Sequence, residues 1–260
     1  MMDSKDRAKK AGTLLAQAWM SSKQVEQFSD DLFPRSIDEE TQLHDAMADA
    51  IEEKVAGWKV AGRPGPLLGR VFAAHVYQTP VDLPADRYHD LLMECEVGFR
   101  MTADLPARAA PYGDDEVLDN AVATCTLELV DTRFINGKHI PENDRHVLQI
   151  CADNAAHAAL VVGPEIPDWR AVDLTSIEVV ARIDGAEALA KNAGGIERPE
   201  VTLVWLVNTL SDRGIGLAAG QYITTGSLTH PSALRRGNQV TADFGDYGAI
   251  TLAYLSLIHI

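Results

Sequence analysis

Cysteine and long apolar runs are both scarce in this sequence. Its three cysteines, Cys95, Cys125 and Cys151, are an odd number and lie far apart. Such spacing is typical neither of a disulfide framework nor of a zinc site, so we expect buried thiols in a reducing compartment. No apolar run approaches the roughly 18 residues of a membrane span. We therefore expect a cytoplasmic protein that has no membrane partner.

Positive charge is also in short supply. Lysine and arginine together number 23 against 38 acidic residues, which gives a net charge of -15 and an isoelectric point of about 4.8. A surface of this sign repels phosphate backbones, which argues against a nucleic-acid partner. An anionic substrate would need a local positive centre, either a basic side chain or a metal ion.

The periodicity of the sequence divides it into a helical lobe over 1–56 and a larger, β-rich domain over 57–260. Residues 4–20 have helical spacing, and Ser36 with Glu39 forms a capping box that opens a second helix. We expect this second helix to run to about Ala56 and to stop at Gly57. The 46% hydrophobic content is ample for a main domain with a smaller helical lobe.

Strands dominate the second part of the chain. We predict strands near 71–77, 91–101, 122–131 and 175–183, with three more at 221–226, 239–244 and 249–255. Helices are expected over 150–160, where alanine is frequent, and over 200–213. Strands outnumber helices and do not alternate regularly with them. This pattern favours an α+β domain with a curled or closed sheet.

Three glutamates are the first candidates for chemistry. Glu94 and Glu96 lie in an apolar strand and project from the same face, about 7 Å apart along it. Glu128 lies mid-strand in another apolar segment, where a charge is costly unless it is exposed, paired or bound to a metal. Three carboxylates suit a hard cation such as Mg²⁺ or Mn²⁺. A solvated strand face is the alternative that the sequence leaves open.

Other polar residues are candidates for contact with a substrate. Lys59 stands between Trp58 and Val60, where it would either neutralise a carboxylate or act as an acid/base group with a lowered pKa; a surface lysine is the alternative. The turn over 224–227 offers backbone N–H and hydroxyl donors to a carboxylate, although ordinary strand ends look the same. His157, in the alanine-rich segment, is expected to be a core or interface histidine.

The order and spacing of several short motifs resemble one protein family. The motifs are Gly57-Trp58-Lys59-Val60, Leu68-Gly69-Arg70-Val71-Phe72, Glu94-x-Glu96, Leu127-Glu128-Leu129-Val130-Asp131-Thr132-Arg133, Ala152-Asp153-Asn154-Ala155-Ala156, Val204-Trp205-Leu206-Val207-Asn208, Gly220-x-x-Ile223-x-Thr225-Gly226-Ser227 and Ala242-x-Phe244-Gly245-x-x-Gly248. Together they resemble the 2-keto-4-pentenoate hydratase and 4-oxalocrotonate decarboxylase branch of the fumarylacetoacetate hydrolase superfamily. The resemblance extends from about residue 8 to residue 255.

The resemblance implies a fold and a site. The fold would be a mixed β-sandwich roll, like the C-terminal domain of fumarylacetoacetate hydrolase, and the protein would be a homo-oligomer that depends on a divalent metal, Mg²⁺ or Mn²⁺. Glu94, Glu96 and Glu128 would be the metal ligands, and Lys59 the active-site lysine. The substrate carboxylate would lie near two hydroxyl residues of the 224–227 turn, Thr225 and Ser227.

One loop departs from the family pattern. Family members usually follow the lysine with a Gly-Leu-Thr-Ser-like sequence, and here it is Ala61-Gly62-Arg63-Pro64. This loop normally borders the substrate. Arg63 would therefore select a dicarboxylate, or a different 2-oxo acid altogether.

The implied reaction is the addition of water to a 2-hydroxy-2,4-dienoate, which gives a 4-hydroxy-2-oxo acid in the meta-cleavage catabolism of aromatic compounds. A decarboxylase of the 4-oxalocrotonate type and a catalytically idle scaffold with the same fold are the alternatives. A C–C hydrolase is not favoured, because it requires a general-base dyad and the sequence places no His/Glu pair together.

Overall fold

The computed structural model of the chain describes residues 3–61, 67–137, 144–190 and 198–255. Its helices are α1 (Ser4–Ser21), α2 (Ile37–Ile51), α3 (Asp114–Leu118), α4 (Asp144–Ala152) and α5 (Pro199–Asp212). Its strands are β1 (Val55–Ala61), β2 (Leu67–Phe72), β3 (Val76–Gln78), β4 (Val81–Pro84), β5 (Leu92–Met101), β6 (Ala121–Val130), β7 (His157–Glu165), β8 (Val180–Ile183), β9 (Ala186–Ala190), β10 (Tyr222–Thr224), β11 (Ser232–Ala233), β12 (Gln239–Asp243) and β13 (Ala249–Leu255).

The strands form two mixed sheets. The larger sheet has the order β2-β1-β10-β5-β6-β7-β3, with β11 also paired to β5, and the smaller has the order β4-β13-β12-β8-β9. Most neighbours are antiparallel, but β1 with β10, β3 with β7 and β4 with β13 are parallel. This architecture confirms the predicted α+β fold with a mixed β-sandwich roll.

The main core lies between the two sheets. Alternate residues of β5 and β6, among them Val97, Phe99 and Leu127, are fully buried in one apolar cluster with Ile250 of β13. At Gly163 of β7 a Cβ atom would lie 2.5 Å from Cγ1 of Ile250, so the sheets approach too closely there for a side chain. One face of β5 and β6 is thus committed to the core, and their other alternating residues must use the opposite face.

The two long helices pack against each other and against the larger sheet. At Gly12 a Cβ atom would lie 2.7 Å from the backbone of α2, which explains how α1 can approach it so closely. Their apolar cluster includes Leu15 and Met47 together with Phe72 and Phe134 from the strand-rich part. The helices thus share a core with the strands, and the division at residue 56 stays a prediction. No helix in the described ranges is both long and apolar enough to cross a bilayer.

The start of α2 is confirmed, but its predicted end is wrong. The hydroxyl of Ser36 accepts a hydrogen bond from the backbone N–H of Glu39 at 3.2 Å, as a helix N-cap does. The helix ends at Ile51, because Glu52 has a left-handed backbone with φ of 56°. The chain then enters β1 at Val55, several residues before the predicted stop.

The predicted helix over 150–160 is also wrong in its second half. Helix α4 ends at Ala152. After Asp153, the three residues from Asn154 to Ala156 have φ values of 54°, 51° and 56°. From His157 the chain is strand β7, which pairs with β6 on one side and β3 on the other. Pairing on both edges overrides the helical preference of the alanines. The strand predicted over 175–183 is shorter and begins at Val180.

Buried Glu40 of α2 makes the stability of the protein dependent on pH. Glu40 is 4% exposed, and this burial raises the pKa of its carboxyl to about 7, although the charge of Arg213 acts to lower that pKa. The folded protein therefore holds a proton that the unfolded chain releases above about pH 4.5. Stability must fall as the pH rises from there through 7, since the ionised form is the one that burial disfavours.

We expect Glu40→Gln to remove the loss of stability that occurs as the pH rises. At pH 8 the variant should exceed the native protein in free energy of unfolding by about 3 kcal/mol, and the gap should close near pH 4. Urea denaturation at both pH values measures the difference. The control is Glu26→Gln, since Glu26 is exposed. A constant gap at all pH values would contradict the assignment.

Candidate active site

Strands β5 and β6 place three glutamates on the face that the core leaves free. In their antiparallel register Glu94 lies opposite Glu128, and Glu96 lies opposite Thr126. Glu96 is 1% exposed, Glu128 is 0% exposed and Glu94 is partly buried. One carboxylate oxygen from each lies within 4.8 Å of the others. The alternative of a solvated strand face is therefore wrong, and the predicted cluster exists.

Glu128 is held by three neighbours. Its Oε1 accepts from Nζ of Lys59 at 2.9 Å and from Nδ1 of His157 at 2.8 Å. Its Oε2 has a longer contact of 3.4 Å with the hydroxyl of Thr224. Lys59 and His157 together outweigh the burial that raises the pKa of this carboxyl, and the net pKa is lowered. Glu128 is therefore an ionised carboxylate.

Glu96 is held by backbone donors. The N–H groups of Thr225 and Gly226, which follow β10, donate to its Oε2 at 3.0 and 3.2 Å. Its Oε1 is buried and has no hydrogen-bond partner among the described residues. Burial and the charges of Glu128 and Glu94 raise the pKa of Glu96 well above its usual value. One buried oxygen of this carboxylate therefore lacks a donor or a cation.

Lys59 reaches the cluster from β1, which β10 separates from β5 in the sheet. It pairs with Thr224 of β10 on one side and with Gly69 of β2 on the other. At Gly69 a Cβ atom would lie 2.6 Å from the carbonyl oxygen of Asn154 and 3.3 Å from Cβ of Lys59, so a side chain there would clash with the backbone of Asn154 and crowd the lysine. Burial opposes the charge of the ammonium group, but the carboxylates prevail and the pKa of Lys59 is raised.

The structure thus separates the alternatives for Lys59. It is 3% exposed, so it is not a surface lysine. Because its pKa is raised, it is a protonated partner of a carboxylate rather than a base with a lowered pKa. This corresponds to the first of the two roles predicted for it.

The charge of the cluster supports a divalent cation. The three carboxylates can carry three negative charges, and Lys59 is the ammonium that acts on them among the described residues. Burial lowers the pKa of His157, so its imidazole is neutral. If all three carboxylates are ionised, two negative charges are left after Lys59, and they match a cation of charge +2; without such a cation, burial and mutual repulsion raise the pKa of Glu94 and Glu96. Oxygens that coordinate one Mg²⁺ ion lie about 3–4 Å apart. The three carboxylate oxygens here lie within 4.8 Å of one another, so they need to move together only slightly to hold the ion.

His157 is a site residue that the sequence does not reveal. The expectation of a core or interface histidine agrees with its burial, since His157 is 0% exposed, but the predicted helix is wrong, because His157 begins β7 and its ring contacts Glu128. The expectation that the chain brings no His/Glu pair together is therefore wrong. Arg133 and Asp153 belong to the motifs quoted above, and they form a buried ion pair at 2.6 Å between Nε and Oδ1 that supports the start of this strand.

The two residues of the 224–227 turn that were predicted to contact the substrate, Thr225 and Ser227, have hydrogen-bond partners within the protein. The hydroxyl of Thr225 donates to the carbonyl of Val97 at 2.6 Å, and that of Ser227 donates to the carbonyl of Thr229 at 2.6 Å. The carboxylate that receives the backbone N–H groups of this turn is Glu96 of the protein itself. A role for Thr225 and Ser227 toward a substrate stays a prediction. Arg63 lies outside the described residues.

Comparison with known proteins shows what this chain is similar to. No family model matches the chain. The chain is 30% identical over 177 residues to the 2-oxo-hept-4-ene-1,7-dioate hydratase of Escherichia coli, a match that covers 67% of this chain and 65% of the hydratase. It is 27% identical over 131 residues to the 4-oxalocrotonate decarboxylase of Pseudomonas putida, covering 50% and 47%. The matched segments thus span less than two thirds of either relative.

A solved structure extends the likeness to nearly the whole chain. The 4-oxalocrotonate decarboxylase from Pseudomonas putida G7, in complex with magnesium and adipate, superposes with a TM-score of 0.81. The superposition covers 98% of this chain and 99% of the decarboxylase, at 18% identity. The two chains therefore share a fold over their full described length.

Proposed function

We infer that the chain belongs to the hydratase and decarboxylase branch of the fumarylacetoacetate hydrolase superfamily, and on that premise we propose that it is a divalent-metal-dependent lyase of small 2-oxo acids. The specific reaction that we propose is the hydration of a 2-hydroxy-2,4-dienoate. The observation that carries the proposal is the convergence of three largely buried carboxylates with a protonated lysine.

Each residue of the cluster has a proposed role. Glu94, Glu96 and Glu128 hold the metal ion, Mg²⁺ or Mn²⁺. When bound, the ion supplies a Lewis acid for the carboxylate and C2 oxygens of a 2-oxo acid. Lys59 donates a hydrogen bond to the C2 oxygen as negative charge develops there, in a site where that charge is poorly screened.

The reaction then follows from the substrate. The C2 hydroxyl proton is lost while the carbon at the far end of the diene gains a proton, which gives an α,β-unsaturated 2-oxo acid. Water adds its oxygen to C4 and a proton to C3, and the product is a 4-hydroxy-2-oxo acid. Lys59 stabilises the enolate that forms in both steps. We propose that Thr225, Ser227 and Arg63 bind the substrate, and that the protein is a homo-oligomer.

A decarboxylase is the second candidate. The 27% identity to the 4-oxalocrotonate decarboxylase of Pseudomonas putida over 131 residues supports it. Loss of CO₂ from a vinylogous 2-oxo diacid produces the same enolate and requires no water attack. The same three carboxylates and Lys59 would therefore serve both reactions.

A paired assay distinguishes the two reactions. The protein is treated with a chelator, reloaded with Mg²⁺, and given 2-hydroxypenta-2,4-dienoate or 4-oxalocrotonate in water enriched in ¹⁸O. We expect ¹⁸O at C4 of the product from the dienoate, and no turnover until Mg²⁺ is restored. Release of CO₂ from 4-oxalocrotonate alone would favour the decarboxylase. Full activity after exhaustive chelation would overturn both candidates, and no Mg²⁺-dependent rise in melting temperature would indicate an idle scaffold.

A further inference from the structure

We infer that His157 is a positioning residue that orients the carboxylate of Glu128 toward the metal ion and thereby sets the affinity for that ion. This inference rests on the proposed function, because it takes Glu128 as a metal ligand. His157 is not proposed to touch the substrate, and its effect is transmitted through Glu128.

The two oxygens of Glu128 have unequal environments. Oε1 receives two short hydrogen bonds, from His157 at 2.8 Å and from Lys59 at 2.9 Å. Oε2 has the 3.4 Å contact with Thr224. Two donors on one oxygen fix the rotation of the carboxylate and leave the other oxygen available to a cation. Groups that hydrogen-bond to a metal ligand in this way commonly change metal affinity by about 10- to 100-fold.

The backbone of His157 is held independently of Glu128. Its carbonyl accepts a hydrogen bond from Nη1 of Arg133 at 2.8 Å. Arg133 is in turn held by Asp153, through the 2.6 Å ion pair and through its Nη2, which donates to the carbonyl of Asp153 at 2.5 Å. The residue is 0% exposed, so its ring has no freedom to turn into solvent.

The other ring nitrogen supports the same inference. Nε2 of His157 is buried and has no hydrogen-bond partner among the described residues. The polar contact of the ring is therefore its bond to Glu128. A histidine that only filled core volume would be replaceable by an apolar side chain without effect on the carboxylate, and it would not need a donor at Nδ1.

The test compares His157→Leu with His157→Asn in Mn²⁺ binding, with Mn²⁺ alone as the probe. Leucine fills similar space but has no donor, whereas the amide nitrogen of asparagine lies close to the position of Nδ1. We expect the dissociation constant for Mn²⁺ to rise about 10- to 100-fold in the leucine variant and to return to within about 3-fold of the native value in the asparagine variant. Titration calorimetry, or the electron paramagnetic resonance signal of free Mn²⁺, measures the constant.

His75→Leu is the matched control. His75 is also a buried histidine, and its ring packs against Trp19 with centroids 4.7 Å apart. Its substitution should alter the melting temperature of the metal-free protein and leave the dissociation constant for Mn²⁺ unchanged. If His157→Leu does not fold, His157→Gln replaces it, since its amide cannot reach the place of Nδ1 and should bind Mn²⁺ more weakly than His157→Asn.

The outcomes separate this inference from the proposed function. If the native protein binds no Mn²⁺, the metal-dependent function and the inference fail together. If the native protein binds Mn²⁺ and the leucine variant binds it equally well with a lower melting temperature, His157 is merely structural and the inference alone is overturned. Equal weakening in the asparagine and leucine variants would also overturn it, because the donor would then not matter.

Discussion

Replacing Lys59 with methionine is expected to lower kcat/KM by about 10³-fold while Mg²⁺ binding is retained or strengthened. The ammonium group is buried against Glu128, and its raised pKa keeps it protonated, so it is available as a donor to the enolate oxygen. Loss of one such donor commonly costs about 10²- to 10³-fold in rate. Removal of a positive charge beside three carboxylates also increases their attraction for a divalent cation.

The Lys59 prediction is checked by two measurements on the same variant. Steady-state kinetics with the dienoate gives the loss of activity, and calorimetric titration gives the Mg²⁺ dissociation constant. Lys54→Met is the control, because Lys54 is an exposed lysine shortly before β1. The metal-free Lys59→Met protein should also be less stable than the native protein, since buried carboxylates lose their counter-charge. Activity within tenfold of the native value would refute the catalytic role, and loss of Mg²⁺ binding would instead make Lys59 a structural support.

The carboxylate cluster is the part of the site that strand periodicity could predict. Alternation places Glu94 and Glu96 on one face regardless of the rest of the fold, and the apolar neighbours of Glu128 indicate that its strand is buried. The pairing of Glu94 with Glu128 depends on the register of β5 and β6. That register follows from burying one apolar face of both strands, so the alternation of apolar residues in the sequence already determines most of the register.

The position of His157 could not be predicted in the same way. It depends on three successive left-handed residues from Asn154 to Ala156, and such backbone is unfavourable for residues other than glycine. Contacts distant in sequence hold this turn. The side chain of Asn154 accepts from the backbone N–H of Arg70 at 2.7 Å and donates to its carbonyl at 2.9 Å. No local pattern encodes a partner 84 residues away, and the alanines indicate a helix instead.

The role of the 224–227 turn was predicted only in part. Its composition indicates a set of donors for a carboxylate, and this is what the turn provides. Which carboxylate it serves depends on the antiparallel pairing of β10 with β5, which brings Thr225 and Gly226 to Glu96. The family resemblance places Thr225 and Ser227 near the substrate carboxylate, but it does not state what each residue contacts.

Glu96→Gln is expected to change the stability of the metal-free protein and its response to metal in opposite directions. Two backbone donors already satisfy Oε2 of Glu96, and its charge opposes those of Glu94 and Glu128, so the neutral amide removes a repulsion that the fold now tolerates. We expect the free energy of unfolding without metal to rise by about 1–3 kcal/mol, similar to the gain that is often found when a buried ion pair is replaced by apolar residues. The same substitution removes a ligand, and the Mg²⁺ dissociation constant should rise at least about 100-fold.

Urea denaturation with and without Mg²⁺ measures both effects, and Glu178→Gln, at an exposed glutamate, should change neither. A variant that loses stability in the absence of metal would show that Glu96 serves the fold rather than a cation, since a carboxylate kept for its hydrogen bonds alone has no reason to stand beside two others.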